Sequence, residues 1–315
     1  GIEKTRIHMI VTITSNIINL YFNVALIYGT DGLNNFFASK SILFSWIPVL
    51  WSWTHFSELG VEGAALATLI ASVWTLLHYF FFLFNKKIKN VFDVFRFQLD
   101  FKMLTKQIKL AIPQGLQEFV VTGGFALFFR IIGMVGTLEL ATTQVVFTIM
   151  NASFMPAVGV GQACSTLVGK YMGENKIKTA EIAIWDSLRW ALIIMGTMGT
   201  IFFLIPYWIL ALFTSDIEII HYGINIMRIV ALIQYIDAIG IILYFALSGA
   251  GNTFFPGMVD SILTWLFFLP GSYYFGIIKG YGFWGPWSFF ALYIFIFALI
   301  LYLKVRKGTW KTIKL

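Results

Sequence analysis

The feature that most constrains the fold of this chain is a series of eight apolar runs, each long enough to cross a bilayer as a helix. A hydrocarbon core about 30 Å thick is crossed by roughly 20 residues of α-helix, and within it every backbone N–H and C=O needs an internal partner. The runs lie near residues 7–29, 60–84, 111–133, 141–168, 186–212, 221–247, 256–278 and 283–304. We therefore predict an all-α, polytopic integral membrane protein with eight transmembrane helices.

The composition agrees with a membrane protein and excludes several other classes. Hydrophobic residues make up 59% of the chain and charged residues 12%, whereas a soluble domain is usually about half apolar and a quarter charged. The net charge of +7 does not indicate nucleic acid, because the basic residues lie in short loops between apolar runs. One cysteine and four dispersed histidines match no disulfide or zinc spacing, and no catalytic motif is present. We therefore predict no enzyme activity, no cofactor and no nucleic-acid partner.

The basic residues also predict how the chain lies in the membrane. Lys and Arg are concentrated before the first run, in residues 85–110, after the fourth run and in residues 305–315, whereas the opposite loops carry few of them. Because cytoplasmic loops carry the excess of Lys and Arg, we predict a multi-pass protein of the inner (plasma) membrane with both ends in the cytoplasm. The apolar stretch 41–53 is too short to cross, and its tryptophans suit the membrane interface. This stretch predicts an interfacial or re-entrant insertion near residues 30–58.

Two Gly-x-x-Gly motifs indicate an internal repeat. Gly60 and Gly63 begin the second run, and Gly282 and Gly285 begin the eighth. Both pairs of runs cross in the same direction, which predicts a parallel repeat of the kind found in transporters built from two similar bundles. The first copy would then lack four runs, so that a complete molecule would have twelve helices.

This repeat divides the chain into four parts. We predict the last two helices of an N-terminal lobe in residues 1–84, a basic cytoplasmic linker in residues 85–110, a six-helix C-terminal lobe in residues 111–304 and a basic cytoplasmic tail in residues 305–315. The expected partner of the chain is the missing set of four N-terminal helices of the same protein. Without these helices the chain would be a transport-incompetent fragment.

Three further motifs resemble those of the multidrug and toxic compound extrusion (MATE) transporters. Residues 161–173 (GQACSTLVGKYMG) are similar to the TLVGQ-like end of the family's eighth span, residues 246–253 (ALSGAGNT) to its ALRGAGDT loop, and residues 59–68 (LGVEGAALAT) to its LGVxGAAxAT motif. Ser248 and Asn252 stand where the family often has Arg and Asp. The resemblance implies a two-lobed, twelve-helix antiporter that exports organic, often cationic, solutes in exchange for Na⁺ or H⁺ by rocker-switch alternating access.

Two acidic residues lie deep within predicted spans. Glu118 has Gln114 and Thr122 four residues away on the same helical face, and Asp237 lies in the sixth run. At about 1.5 Å per residue, Glu118 is roughly 10 Å and Asp237 roughly 16 Å from the cytoplasmic ends of their spans. Two carboxylates in one low-dielectric cavity bind a cation or share a proton, because both cannot be charged cheaply without one.

The resemblance implies a role for this pair. In the sodium-coupled branch of the MATE family, an acid in the seventh span and one in the tenth belong to the cation site, and Glu118 and Asp237 match those positions. We therefore expect both residues to bind the coupling ion, with Na⁺ and H⁺ left open. Further side chains are candidates to complete the shell of oxygen ligands or to line the cavity. These are Gln114, Gln117, Gln234, Tyr244, Gln144 and Asn151.

Other polar and aromatic residues have a structural interpretation. Asp260, like Glu62 and several arginines, lies near the end of a predicted span, where the interface can solvate its charge. Four phenylalanines have a ring that suits a flat cation, but packing or lipid contact is the better explanation in a chain with 33 Phe. These are Phe119, Phe125, Phe147 and Phe154. A lipid-linked saccharide flippase is the alternative transporter, but its cavity would need several Arg or Lys to hold a pyrophosphate.

Overall fold

The structure is a computed structural model that describes residues 5–38, 47–84 and 100–313. Within these ranges the chain is helical and contains no β-strand. It divides into two compact units, Gly1–Asp100 and Phe101–Leu315, and each unit is described here by itself.

The predicted all-α membrane fold is confirmed, since eight of the described helices are long and apolar enough to cross a membrane. A short helix, α6, interrupts the series after the fifth span. In chain order the helices are α1 (Thr5–Ala38), α2 (Gly60–Leu83), α3 (Phe101–Val135), α4 (Thr137–Gly173), α5 (Ile177–Leu204), α6 (Pro206–Ala211), α7 (Ile217–Gly249), α8 (Phe254–Ile278) and α9 (Trp284–Arg306).

The first unit is a hairpin of α1 and α2. Helix α1 bends at Gly29, where φ is 65°, and it continues to Ala38, well beyond the predicted end at residue 29. The predicted interfacial insertion therefore begins later than expected. Its described part includes a 3-10 helix, Ile47–Trp51. Trp51 is buried, stacks on Tyr21 with ring centroids 5.3 Å apart and donates a hydrogen bond to the Tyr21 carbonyl at 3.1 Å. The remainder of the tryptophan-rich stretch, residues 41–46, lies outside the described residues.

The glycine motifs adopt the same geometry in both units, which supports the internal repeat. Gly60 and Gly282 have φ of +53° and +57°. Gly60 begins α2, and Gly282 lies two residues before the start of α9. Such left-handed backbone favours glycine. Three residues later, a Cβ on Gly63 would overlap the Leu26 carbonyl of α1, and a Cβ on Gly285 would overlap the backbone of α8. Each motif therefore combines a turn with a close helix–helix contact.

The second unit is a bundle arranged around α7, which packs against α4, α5 and α9. One end of its core is aromatic, with the rings of Phe128 and Phe268 4.9 Å apart and Trp287 fully buried beside Phe290. Many large apolar side chains point outward instead, as expected for surfaces in contact with lipid. The interior and the exterior of this bundle are thus both apolar, so polar side chains that lie inside it stand out.

Two further helix boundaries differ from the predictions. Helix α3 begins at Phe101, so the predicted linker 85–110 overlaps its first turns. The fifth span runs from Ile177 to Leu204, rather than over residues 186–212. It ends there because Pro206 has no N–H to continue the hydrogen-bond ladder, and Pro206 instead begins α6. Hydropathy missed the start of α5 because its first turns carry charged residues and lie beyond the apolar part of the helix.

The predicted basic tail, residues 305–315, is largely ordered against the second unit. Helix α9 extends to Arg306, Gly308 makes a turn with φ of 74°, and Thr309–Thr312 form a 3-10 helix. Trp310 is 1% exposed, and the Nζ of Lys311 lies 2.7 Å from Oε2 of Glu181 on α5. The tail thus covers the end of the bundle. Burial of the Trp310 ring stabilises this arrangement although the neighbouring residues are polar.

Candidate ion and substrate site

A cavity of about 530 Å³ opens inside the second unit. Its walls come from α3, α4, α7, α8 and α9. The side chains that line it are Glu118, Val121, Thr122, Phe125, Phe129, Phe147, Met150, Asn151, Phe154, Asp237, Ile241, Asp260, Phe290, Tyr293 and Ile294.

Three carboxylates share this cavity. Glu118 on α3 and Asp237 on α7 both line it, so the structure brings together the two acids that the sequence singled out. Asp260 on α8 is the third, and it is close enough to interact electrostatically with Asp237 and with Glu118. Like charges in a cavity of low dielectric repel strongly, so the site favours cations or protons.

Asp260 corrects the sequence interpretation, which placed it near the end of a span. The structure places it on the cavity wall, where the hydroxyl of Tyr293 on α9 donates a hydrogen bond to its Oδ1. Helix α8 begins at Phe254, so at 1.5 Å per residue Asp260 is roughly 9 Å into the helix. A sequence prediction that began this helix at Phe254 would have placed Asp260 deeper in the membrane and would have indicated a cavity residue.

The predicted accessory ligands divide between cavity and packing. Asn151 lines the cavity. Gln117 and Tyr244 are not among its lining residues, and instead the Gln117 side-chain amide donates to the Tyr244 hydroxyl at 3.4 Å, which joins α3 to α7. Gln234 is 2% exposed, and its Nε2 donates to Ser153 Oγ at 2.6 Å. Its amide therefore holds α7 against α4.

The last two candidates are Gln144 on α4 and Gln114 on α3. Gln144 is exposed and is not among the lining residues, although it lies seven residues before Asn151 on the same helix. The backbone of Gln114 lies within α3, but its side chain is outside the described part of the structure. The oxygen ligands that the described cavity offers are therefore mainly the three carboxylates, Asn151 and Tyr293.

The remaining walls are apolar and aromatic. Phe125, Phe147 and Phe154 line the cavity, whereas Phe119 is 76% exposed on another face of α3. The lining residues of the described cavity include no Lys, Arg or His. Flat aromatic surfaces next to unbalanced acids suit a hydrophobic organic cation.

Among the residues that the structure describes, no three His, Cys, Asp or Glu side chains are grouped closely enough to hold a metal ion. A monovalent cation or a proton needs fewer carboxylates, since neutral oxygens can complete the shell of Na⁺ and a proton needs only one.

The chain is similar to known transporters over most of its length. It is 28% identical over 280 residues to a probable multidrug resistance protein NorM of Thermotoga maritima, which covers 87% of this chain and 54% of that protein. It is 27% identical over 240 residues to the multidrug resistance protein NorM of Photobacterium profundum, covering 73% of this chain and 52% of that protein. The chain therefore spans little more than half the length of these curated relatives.

Solved structures share the fold. A crystal structure of MATE in the straight conformation superimposes with a TM-score of 0.79 at 18% identity, covering 97% of this chain and 63% of that one. The MATE transporter ClbM in complex with Rb⁺ superimposes with a TM-score of 0.73 at 16% identity, covering 97% of this chain and 62% of that one. These likenesses show that the described helices follow part of a larger two-lobed fold.

The MatE family model matches residues 113–274, a segment that begins before Glu118 and ends beyond Asp260. Because this match covers half of the 315 residues, the chain belongs to the MATE family of multi-pass membrane transporters, which are not enzymes.

Proposed function

We propose that this chain works in a secondary active antiporter that exports organic, often cationic, solutes in exchange for Na⁺ or H⁺. The observation that carries the proposal is the cavity of the second unit, whose described lining combines three acids and several phenylalanines with no basic residue. Such a cavity attracts an organic cation and an inorganic cation by the same charges. Competition between the two for those charges is the physical basis of exchange.

Glu118 and Asp237 are the proposed coupling residues. An ionised carboxylate inside a membrane costs at least about 2.5 kcal/mol on insertion scales, so the pair is stable only with a cation or a proton. Na⁺ would find oxygen ligands in the two carboxylates and in Asn151, whereas H⁺ would neutralise one carboxyl directly. Binding of Rb⁺ to the similarly folded ClbM supports a monovalent cation in a bundle of this type.

Transport then requires that ion and solute favour different conformations. An ion that binds one conformation more tightly shifts the equilibrium only by that difference in affinity. The second unit has places where it can bend, since Pro156 lies inside α4 and α8 contains two π-helical segments. We infer that bending at these points accompanies a rocker-switch movement of two lobes in the complete transporter.

The orientation follows from the charges. We propose that the protein lies in the inner membrane with both ends of this chain in the cytoplasm, because Lys304 and Arg306 lie in the last turn of α9 and Lys311 lies just beyond it, and cytoplasmic ends carry such residues. A lipid-linked saccharide is the weaker candidate substrate. Its pyrophosphate needs Arg or Lys, and the described cavity lining has neither.

Efflux measurements test the function. In cells that express the protein from its own gene, Glu118→Gln and Asp237→Asn should leave membrane insertion intact, since amides cost less than carboxylates in the bilayer. Both variants should lose export of an organic cationic dye driven by a Na⁺ or H⁺ gradient. Asp186→Asn is the matched control, because Asp186 is an exposed aspartate paired with Arg189 on α5. Efflux that keeps its full gradient dependence in both cavity variants would remove this pair from the mechanism.

A further inference from the structure

A groove on the surface of the second unit lies between α5 and α7. It encloses about 200 Å³. The residues that line this α5–α7 groove and those that line the cavity of Glu118 and Asp237 do not overlap, so the exchange of ion and solute does not use the groove. The lining residues are Gly199, Thr200, Phe203, Leu204, Ala231, Leu232 and Tyr235.

Small residues form the floor of the α5–α7 groove. A Cβ on Gly199 of α5 would lie 2.6 Å from the Ala231 carbonyl oxygen of α7, so the two helices meet here without large side chains between them. Larger apolar side chains stand on either side of this contact, and Leu204 on α5 and Leu232 on α7 are both exposed. The result is a narrow apolar depression between two helices, which suits an acyl chain.

Two hydroxyl groups at one end of the groove are already satisfied. The Tyr235 hydroxyl donates to the Gly196 carbonyl at 3.0 Å, and the Thr200 hydroxyl donates to the same carbonyl at 2.8 Å. The two hydroxyl oxygens lie 2.8 Å apart. Because these groups bond to the helices themselves, this end of the groove offers an apolar ligand no unpaired hydroxyl.

Arg228 lies at the other end of the groove, deep within a span. It is exposed and lies four residues before Leu232, on the same face of α7. Helix α7 begins at Ile217, so the Arg228 Cα is roughly 16 Å along the helix, whose whole length is about 50 Å. When α7 is centred on a hydrocarbon core about 30 Å thick, that Cα lies roughly 6 Å inside the core.

The guanidinium of Arg228 needs a counter-charge that the described residues do not give it. Arg228 forms no ion pair within the described part of the chain, and an unpaired charge inside the hydrocarbon is costly. Side chains on a helix lean towards its N-terminus, so Arg228 extends towards the nearer membrane surface, as snorkelling arginines do. The phosphates of the lipid headgroups lie at that level, and arginine binds phosphate through two parallel hydrogen bonds.

The residues around this end of the groove also indicate a membrane surface. Helix α6 follows the Leu204 end of α5, and its Tyr207 and Trp208 are exposed. Tyr and Trp are enriched where hydrocarbon meets headgroups. Asn225, one turn nearer the start of α7 than Arg228, is exposed as well, and its amide can both donate to and accept from a polar headgroup.

We propose that Arg228 and the α5–α7 groove bind one anionic phospholipid. Its phosphodiester pairs with the Arg228 guanidinium, and one acyl chain lies along the floor formed by Gly199 and Ala231. A headgroup with a net negative charge fits better than a zwitterionic one, because the ammonium of a zwitterionic lipid competes for the phosphate. In the proposed orientation this lipid belongs to the leaflet that faces away from the cytoplasm. It joins α5 to α7 and so stabilises the second unit.

Native mass spectrometry of the purified full-length protein tests the headgroup contact, with phosphatidylglycerol as the probe. The wild type should retain one tightly bound molecule. Arg228→Gln should weaken its binding at least about tenfold, the equivalent of 1.4 kcal/mol, and phosphatidylethanolamine should bind the wild type more weakly. Arg130→Gln is the matched control, because Arg130 is an exposed arginine near the end of α3 and does not line the groove. The control should bind phosphatidylglycerol as the wild type does.

A phosphatidylglycerol that carries a photoreactive diazirine on one acyl chain tests the position of the chain. Adducts are expected in peptides that contain residues 199–204 or 231–235. Thr200→Phe should fill the groove and remove these adducts while leaving Arg228 in place, because Thr200 is exposed on the groove wall. If Arg228→Gln does not insert into the membrane, Thr200→Phe decides the matter.

Three results would overturn the proposal. Equal affinity of Arg228→Gln and wild type for phosphatidylglycerol would show that the guanidinium holds no headgroup. Adducts that persist in Thr200→Phe, or that lie elsewhere in the wild type, would place the acyl chain outside the groove. Dimers without bound lipid would assign the groove to a second copy of the chain. Efflux by Glu118→Gln or Asp237→Asn enters none of these measurements, so the antiport proposal stands or fails separately.

Discussion

The close contact between α8 and α9 predicts that Gly285→Ala is strongly destabilising. A Cβ at this position would lie 2.5 Å from the backbone nitrogen of Gly276 and 2.7 Å from the carbonyl carbon of Phe275, where ordinary contact begins at about 3.4 Å. Both neighbours are backbone atoms, so no side chain can rotate away. The two helices would have to separate by nearly 1 Å at their crossing.

The cost of this separation follows from the packing that it disturbs. A gap of 0.5–1 Å removes about a quarter to a half of each dispersion contact, and the contacts at risk include Phe275 and Phe289, whose rings lie 5.1 Å apart. Overpacking in well-packed cores costs about 1–3 kcal/mol, and we expect the upper end because the obstacle is backbone. For a unit of this size each kcal/mol lowers the melting temperature by about 2–4 °C. At about 3 kcal/mol, the expected decrease is therefore about 6–12 °C.

The sole cysteine of the chain supplies the assay. Cys164 is fully buried, so a fluorogenic maleimide should react with it only as the second unit unfolds on heating in detergent. Gly159→Ala on α4 is the matched control, because nothing lies within 4 Å of its added Cβ, and alanine in a helix is favoured over glycine by about 0.5–1 kcal/mol. A melting temperature of Gly285→Ala equal to that of Gly159→Ala would refute the close-contact argument.

Further predictions concern other contacts of the two units. Gly63→Ala should destabilise the first unit as Gly285→Ala does the second, because its Cβ would overlap the Leu26 carbonyl; protease digestion in detergent measures this. Trp310→Ala should cost about 3–5 kcal/mol by the loss of a buried tryptophan, whereas Lys311→Ala should cost less than about 1 kcal/mol because its ion pair is partly exposed; maleimide melting compares them. Gln234→Leu should cost about 0.5–1.5 kcal/mol, because the Ser153 hydroxyl loses the bond from Gln234 but still donates to the Met150 carbonyl; a double-mutant cycle with Ser153→Ala should show coupling of the two residues.

The sequence was sufficient to predict the spans, because the bilayer sets both their length and their apolar character. The prediction was less reliable where a helix extends beyond its apolar part. Helix α5 begins at Ile177 in a polar segment that hydropathy assigns to a loop, and α3 begins at Phe101 within the predicted linker. The Trp310 contact was not predicted either, because a single tryptophan in a basic segment gives no periodic signal.

The site was predictable in part for a similar reason. Glu118 and Asp237 stand out because each is an acid within an apolar run, and both line the cavity. The sequence does not show in the same way whether a neutral amide side chain points into the cavity or into the packed interior. Gln234 and Asn151 look alike in sequence, yet Gln234 bonds to Ser153 in the packed interior whereas Asn151 lies on the cavity wall. Which of two such residues meets the cavity depends on the rotation of α4 and α7, which is fixed by contacts between helices.

Asp260 shows how the two kinds of information combine. Its depth in the membrane depends on where α8 begins, and the predicted start at residue 256 moved it about 3 Å towards the interface. The direction of the Asp260 side chain depends on its hydrogen bond with Tyr293. Because Tyr293 lies on another helix, the sequence pattern of α8 does not reveal this contact. An acid whose depth is uncertain by about half a turn is ambiguous between the interface and the cavity. Hydrogen-bond partners on a neighbouring helix resolve that ambiguity, and they place a third carboxylate where only two were expected.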